Sequence, residues 1–289
     1  MRNDSMKNDL KSVLGKVLRA EEMQYAPNSF EIIGSGNKFV ALVEIPDEIK
    51  DRKSIVAETI MRLNKNIKSV LEKISARKGD FRTRDYELIA GDKDTEVLHK
   101  ENGYLLRIDP QKAYFSAREG TERLKVAQQV GRGEVVMVFF SGIGAYAVAI
   151  AVEQPDISKI FAIEINPDAV EYMRQNLRIN RIADKVMPIM GDVKEAAKNF
   201  YSKCDRVLMP LPLGASEFLD EAILCLHQKG IVHFYTLVDK SDFTPAEKQI
   251  DEVCRRLGKT FKILNKRKIS EYSPRKWKVC IDFEVTEGK

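Results

Sequence analysis

Residues Tyr114–Gly144, YFSAREGTERLKVAQQVGRGEVVMVFFSGIG, decide how the rest of the chain is organised. Thr121-Glu122-Arg123 opens a helical stretch, EVVMVFF reads as an apolar strand, and Ser141-Gly142-Ile143-Gly144 is a glycine turn. Without Cβ atoms in the way, backbone N–H groups in such a turn can approach a ligand closely. About twenty residues further on a second apolar strand ends at Glu164, followed by Ile165, where an acid is placed to bind a ribose diol. Gly191-Asp192 closes a third strand. Each feature also has an ordinary reading, since two glycines make a tight turn and a lone acid can cap a helix. Their recurrence at the carboxyl ends of successive strands favours a nucleotide site.

Beyond Gly144 the pattern alternates strand and helix. Strands are expected at KIFAIEI, KVMPIMG, CDRVLMPL, GIVHFYTLV, FKILNKRKI and WKVCIDFEV, with helices near 145–153, 167–180, 193–201, 215–227 and 244–257. The alternation predicts an α/β domain with a mostly parallel, doubly wound sheet, and the final adjacent strands predict an antiparallel edge. Seven strands with that ending resemble the Rossmann-like fold of S-adenosylmethionine-dependent methyltransferases. Met209–Phe218, MPLPLGASEF, follows the fourth strand of this set. Pro210 and Pro212 stiffen it and leave carbonyls to accept hydrogen bonds, as they would also do in a plain connector with Ser216 capping the next helix.

Before Tyr114 the periods are different. Leu10, Val13, Leu14, Val17 and Leu18 lie at helical spacing, FEIIG and KFVALVEI flank a turn at Gly34–Asn37, and Asn102-Gly103 is a type I′ hairpin signal within TEVLHKENGYLLRID. The expected division is a helical extension over 1–27, a small α+β domain over 28–109 and the sheet domain over 110–289.

The composition, 44% apolar and 31% charged over 289 residues, is that of a globular protein. No run reaches the ~20 apolar residues of a membrane span, and the N-terminus has no signal-peptide core, so the expected location is cytoplasmic. Four scattered cysteines without a CxxC pair read as buried thiols rather than metal ligands, and three histidines share no ligand spacing. The net charge of +5 is mild, but basic residues gather in 73–84 and 259–278 with Phe81, Tyr272 and Trp277 among them. That mixture suits a phosphate-rich partner with exposed bases, or a solvated surface.

FRTRDYELIAG, YFSAREGTERLKVA, FSGIG, AIEINPDAVEYMRQNLRIN, Gly191-Asp192, MPLP, GIVHFYT and YSPRKWKV together resemble the archaeal and eukaryal tRNA (guanine-37-N1)-methyltransferase family, over about Phe30 to Val285. The resemblance implies S-adenosylmethionine as cofactor, held by Tyr114, Arg123, Ser141, Gly142, Gly144, Glu164, Ile165, Asp192, Pro210 and Pro212. It implies tRNA as partner, at position 37 of the anticodon loop, a monomer, and chemistry that needs no metal. Glu122 would be the general base and Arg82 would steady guanine O6, with Tyr114, Arg118 and Arg123 lining the site and Pro210 near the base. These types suit the reaction: the N1 proton must leave as the methyl is attacked, charge develops on O6, and the base must leave its stack. Three departures stand out: about 25 residues precede the small domain where the family has a further domain, Val138 replaces an acid, and Pro210 replaces an asparagine. The last resembles a bifunctional archaeal branch that also methylates 4-demethylwyosine. Rivals are the aminocarboxypropyl transferase of wybutosine synthesis and a non-catalytic RNA-binding module.

Overall fold

The computed structural model describes residues 10–75, 79, 84–239 and 242–288, which fall into two compact units, Met1–Ala117 and Arg118–Lys289. In the first unit, strands β1 (Glu31–Ser35), β2 (Lys38–Val43), β3 (Ile67–Lys73) and β4 (Tyr86–Gly91) form one sheet in that order. β2 and β3 are parallel, joined across helix Lys53–Leu63, whose Val56, Ala57 and Ile60 are buried. This is the i, i+1, i+4 stripe of a helix lying on a sheet. Strands β5 (Val97–Glu101) and β6 (Tyr104–Ile108) form a hairpin. Asn102 and Gly103 turn it with φ of 43° and 87°, as a type I′ turn requires.

Residues 10–14 are helical, and Leu10, Leu14 and Leu18 sit in the core of this first unit with Val43, Ile60 and Val70. The N-terminal stretch is therefore part of the small domain, not a separate extension, because its apolar face has to be covered. The units divide between Ala117 and Arg118 rather than at 109/110. Strand β4 went unread in the sequence because none of its residues is fully buried, so YELIAG carries little apolar alternation.

The second unit is built on strands β7 (Val135–Val138), β8 (Lys159–Glu164), β9 (Val186–Met190), β10 (Cys204–Met209), β11 (Leu226–Asp239), β12 (Lys259–Ser273) and β13 (Lys276–Glu287). They lie in the order β12-β13-β11-β10-β7-β8-β9. Strands β7 to β11 are mutually parallel, and β13 enters antiparallel between β11 and β12. Strand order reverses between β7 and β10, and a doubly wound sheet binds its ligand beyond the carboxyl ends at such a point.

Two helices build that point. Ala145–Glu153 begins at Gly144 and buries every residue from Ala145 to Ala151, as an element covered on all sides must. Pro167–Ile179 is capped by Asn166, whose side chain accepts from Asp168 N–H, with proline at its first position. Its inward face includes Met173 and Asn176. Asn176, fully buried, donates to the Ile143 carbonyl at 3.0 Å and so ties this helix to the glycine turn.

Candidate active site

The glycine turn leaves β7 through a non-glycine residue in left-handed conformation, Phe140, with φ of 51°. Its ring is held edge-on to Phe218 at 4.9 Å. Strain of this kind persists where packing enforces it and marks functional turns. Gly142 and Gly144 follow with φ of 55° and 82°. A Cβ on Gly144 would lie 2.7 Å from Met173 Cγ. Gly144→Val is expected to cost about 2 kcal/mol of stability through backbone strain alone, together with cofactor affinity. Thermal unfolding and a cofactor titration check this, and an unchanged melting temperature contradicts it.

Around the turn, Glu164 accepts from Gly142 N–H at 2.7 Å and from Asn166 N–H at 2.8 Å. Burial raises its carboxyl above the ordinary range, against the amides of Asn166, Gly142 and Ile165. Three amides against about four lone-pair sites leave the carboxylate room to accept from a ligand hydroxyl. Ser141 uses its hydroxyl on the Val138 carbonyl and its N–H on the Ile163 carbonyl, so its contribution is to fix the turn. Asp192 caps the short helix Val193–Ala196 through Lys194 N–H at 2.7 Å and is otherwise exposed. Pro210, Leu211 and Pro212 are half-buried after β10. The next turn starts from Gly214 in left-handed conformation with no side-chain cap, so Ser216 does not cap it.

Glu122 lies on helix Gly120–Ala127 and is buried, as is Arg123. An acid in a first turn commonly serves the helix dipole, but this carboxylate turns to the sheet. Its Oε1 accepts from the Tyr235 hydroxyl at 2.7 Å and from Arg267 Nη2 at 2.6 Å. Tyr235 in turn meets the Tyr146 hydroxyl at 3.3 Å, two residues past Gly144. Glu122 is thus linked by two tyrosines to the helix that carries the glycine turn. Arg118, in the turn Ala117–Glu119, is exposed. Tyr114 belongs to the first unit and is 37% exposed. Arg82 and Phe81 lie outside the described residues.

The partners of Glu122 were not read from the sequence. Cross-strand register explains how they assemble: Tyr235 pairs with Cys280 and Cys280 with Arg267, while His233 pairs with Asp282. Polar residues two apart within the apolar strands GIVHFYTLV and WKVCIDFEV were the available signal, because a period of two places them on one face. From there the network continues inward. Asp282 Oδ1 accepts from His233 Nδ1 at 2.7 Å, His233 Nε2 accepts from Arg206 at 2.8 Å, and Arg206 grips Glu134 with two bonds of 2.7 and 2.9 Å.

His233, Cys280 and Asp282 bring ligand-type atoms within 4.8 Å of one another. Guanidiniums already occupy both ends of this group, Arg206 on His233 and Arg267 on Asp282, and two fixed cations oppose a third. The four cysteines are buried and free, and burial raises Cys204 to about 12 and Cys254 to about 11, so their thiols stay protonated. In the basic stretch near the C-terminus, Lys266 pairs with Glu247, Lys259 with Glu287, and Lys268 sits 3.6 Å over the Trp277 ring. Tyr272 remains 52% exposed.

Burial lowers the pKa of His233 below its ordinary 6.5. The unfolded chain then binds more protons below about pH 6.5, and stability falls as pH drops through that value. Burial alone would raise Asp282, but the His233 bond and Arg267 bring it from 3.8 to about 2, so its stabilisation is lost further down, below 3.8. The urea midpoint is expected to decline as pH falls below about 6.5, and His233→Gln to flatten that decline. An equal slope in the variant contradicts the assignment.

The TRM5/TYW2 methyltransferase domain family matches residues 97–264, more than half of the chain. The chain belongs to that family. The TYW2 N-terminal domain family matches residues 10–95. A Pyrococcus abyssi tRNA (guanine(37)-N(1))-methyltransferase, Trm5b, is 37% identical over 92% of this chain and 77% of its own length. A Pyrococcus horikoshii tRNA(Phe) (4-demethylwyosine(37)-C(7)) aminocarboxypropyltransferase is 28% identical over 99% of both chains. Among solved structures, the complex of aTrm5 and tRNALeu superposes with a TM-score of 0.84 at 32% identity, covering 95% of this chain and 77% of that one. The P. horikoshii TYW2 structure in complex with MeSAdo gives 0.78 at 27% identity, covering 98% of this chain and all of the other. The family fold, a mixed and mostly parallel α/β sheet with an N-terminal domain, is the one described above. Among the described residues no helix is long and apolar enough to cross a membrane.

Proposed function

We propose that the chain transfers the methyl group of S-adenosylmethionine to N1 of guanosine 37 in the tRNA anticodon loop. The carrying observation is the buried Glu122 carboxylate, linked through Tyr235 and Tyr146 to the helix that begins at Gly144. On this reading the carboxylate is the base and the turn holds the cofactor. The cofactor would lie across Gly142, Gly144 and Ile165, with Glu164 on the ribose and Asp192 toward the adenine, and with Ser141, Pro210 and Pro212 shaping its walls. Bound there, S-adenosylmethionine would supply the methyl group to N1, and Glu122 would take the proton that N1 loses. Arg82 would steady the charge on O6, with Tyr114, Arg118 and Arg123 placing the purine. This reading needs one copy of the chain, and with tRNA as substrate it places the protein in the cytoplasm.

The test is incubation with labelled cofactor and tRNA transcripts carrying G37 or A37, followed by nuclease digestion and product mass. Label on G37 alone is expected. Label on A37, or none on G37, overturns the proposal. A second reading, at C7 of 4-demethylwyosine, is favoured by the match to the TYW2 N-terminal domain and by Pro210 in place of an asparagine donor. Product mass on tRNA bearing that base separates a methyl from the far heavier aminocarboxypropyl group.

A further inference from the structure

We propose that Arg267 is the positioning residue for Glu122, and that Asp282 is the counter-charge that lets this carboxylate accept a proton while the guanidinium stays beside it. The inference rests on Glu122 as the general base. Arg267 Nε and Nη2 both reach Glu122 Oε1, at 3.0 and 2.6 Å, and Tyr235 adds a third donor at 2.7 Å. Such a grip fixes the carboxylate's direction. It also sets a fixed positive charge against the group that has to take a proton.

The compensation lies on β13. Arg267 Nη1 donates to Asp282 Oδ2, so two carboxylates share one guanidinium and the trio carries one negative charge in excess. When Glu122 takes a proton, the Arg267–Asp282 pair remains, neutral and hydrogen-bonded. Burial opposes the charge on Arg267, but the Glu122 bond and neighbouring acids raise its pKa, so it stays a cation throughout. Asp282 is held in turn by His233 at 2.7 Å.

Two further cations near this network among the described residues have partners of their own. Lys278 on β13 pairs with Glu119 at 2.7 Å, and Arg206 on β10 pairs with Glu134. Arg123 lies on the helix of Glu122 itself. Tyr146, Tyr235 and Cys280 are raised well above their ordinary values by burial and remain neutral.

The experiment is the pH dependence of single-turnover methyl transfer to a G37 transcript at saturating cofactor. Arg267→Gln and Tyr235→Phe each remove donors to the ionised carboxylate and are expected to move the acid limb up by about one pH unit. Asp282→Asn leaves Arg267 to Glu122 alone and is expected to move the limb down while lowering the plateau. Arg267→Lys keeps the charge and is expected to return the limb toward the parent. A merely structural role would lower melting temperature without shifts of opposite sign. If Arg267→Gln does not fold, Tyr235→Phe, which removes one oxygen, carries the upward arm. Shifts in the same direction, or none in folded variants, overturn the inference. Glu122→Gln measured alongside separates the two failures. If it still methylates, the base reading falls. If it is inactive and no opposed shifts occur, only the roles of Arg267 and Asp282 fall.

Discussion

Glu122→Gln is expected to lower single-turnover methyl transfer by about a thousandfold, within the range that a positioned base contributes. Cofactor binding should be nearly unchanged. Glutamine is isosteric and its amide oxygen can still accept from Tyr235, so the hydroxyl link toward Tyr146 is kept. What disappears, if Glu122 is the base proposed above, is the ability to take the N1 proton. Arg267 retains Asp282 as counter-charge, so the variant should fold. Calorimetric titration with cofactor beside rapid-quench methylation checks both halves. A loss in both together would mean that the substitution damages the glycine turn, and an active variant would remove Glu122 from the chemistry.

The second large effect is on stability. Arg206→Met is expected to lower the unfolding free energy by about 3 kcal/mol, as breaking one partner of a buried pair does. Arg206 is 3% exposed, and its guanidinium donates to Glu134 twice, to the Gln129 carbonyl at 2.9 Å and to His233. Methionine fills much of the volume but leaves Glu134 with only the Gly131 N–H and the His233 nitrogen without its donor. Glu134 is 21% exposed in its side chain and regains some water, which keeps the estimate at the lower end of the range for buried pairs. Urea unfolding reads the change. A loss under about 1 kcal/mol, the level of an exposed pair, would show that the arginine is not structurally central.

Most of the second unit was legible because its signals are local. Apolar runs such as KIFAIEI and CDRVLMPL are bounded by turns, and Asn166-Pro167 announces its helix. The antiparallel insertion of β13 follows from two long final strands without a helix between them. The side of the first sheet formed by β4 was not legible, since an edge strand with half-buried residues carries no clear period. The site was readable on one side only. Glu122, Glu164 and the glycine turn sit in short motifs, whereas Tyr235 and Arg267 reach Glu122, and Asp282 reaches Arg267, by the pairing of β11, β13 and β12, with Tyr235 and Arg267 more than a hundred residues from Glu122 in sequence. A charged residue in an apolar strand hints at a buried partner but does not say which one. The basic stretch over 259–278 misled in a related way: its composition did not tell that Arg267 points inward.

The late position of β12 and β13 has a consequence for synthesis. Domains fold as their segments emerge, N-terminal portions first. The glycine turn and Glu164 are complete once the chain has passed residue 180, but Glu122 meets its arginine only after residue 267 and its outer counter-ion only after residue 282. A nascent chain could hold cofactor before the carboxylate proposed as its base is aimed, so competence to modify RNA waits for β12 and β13.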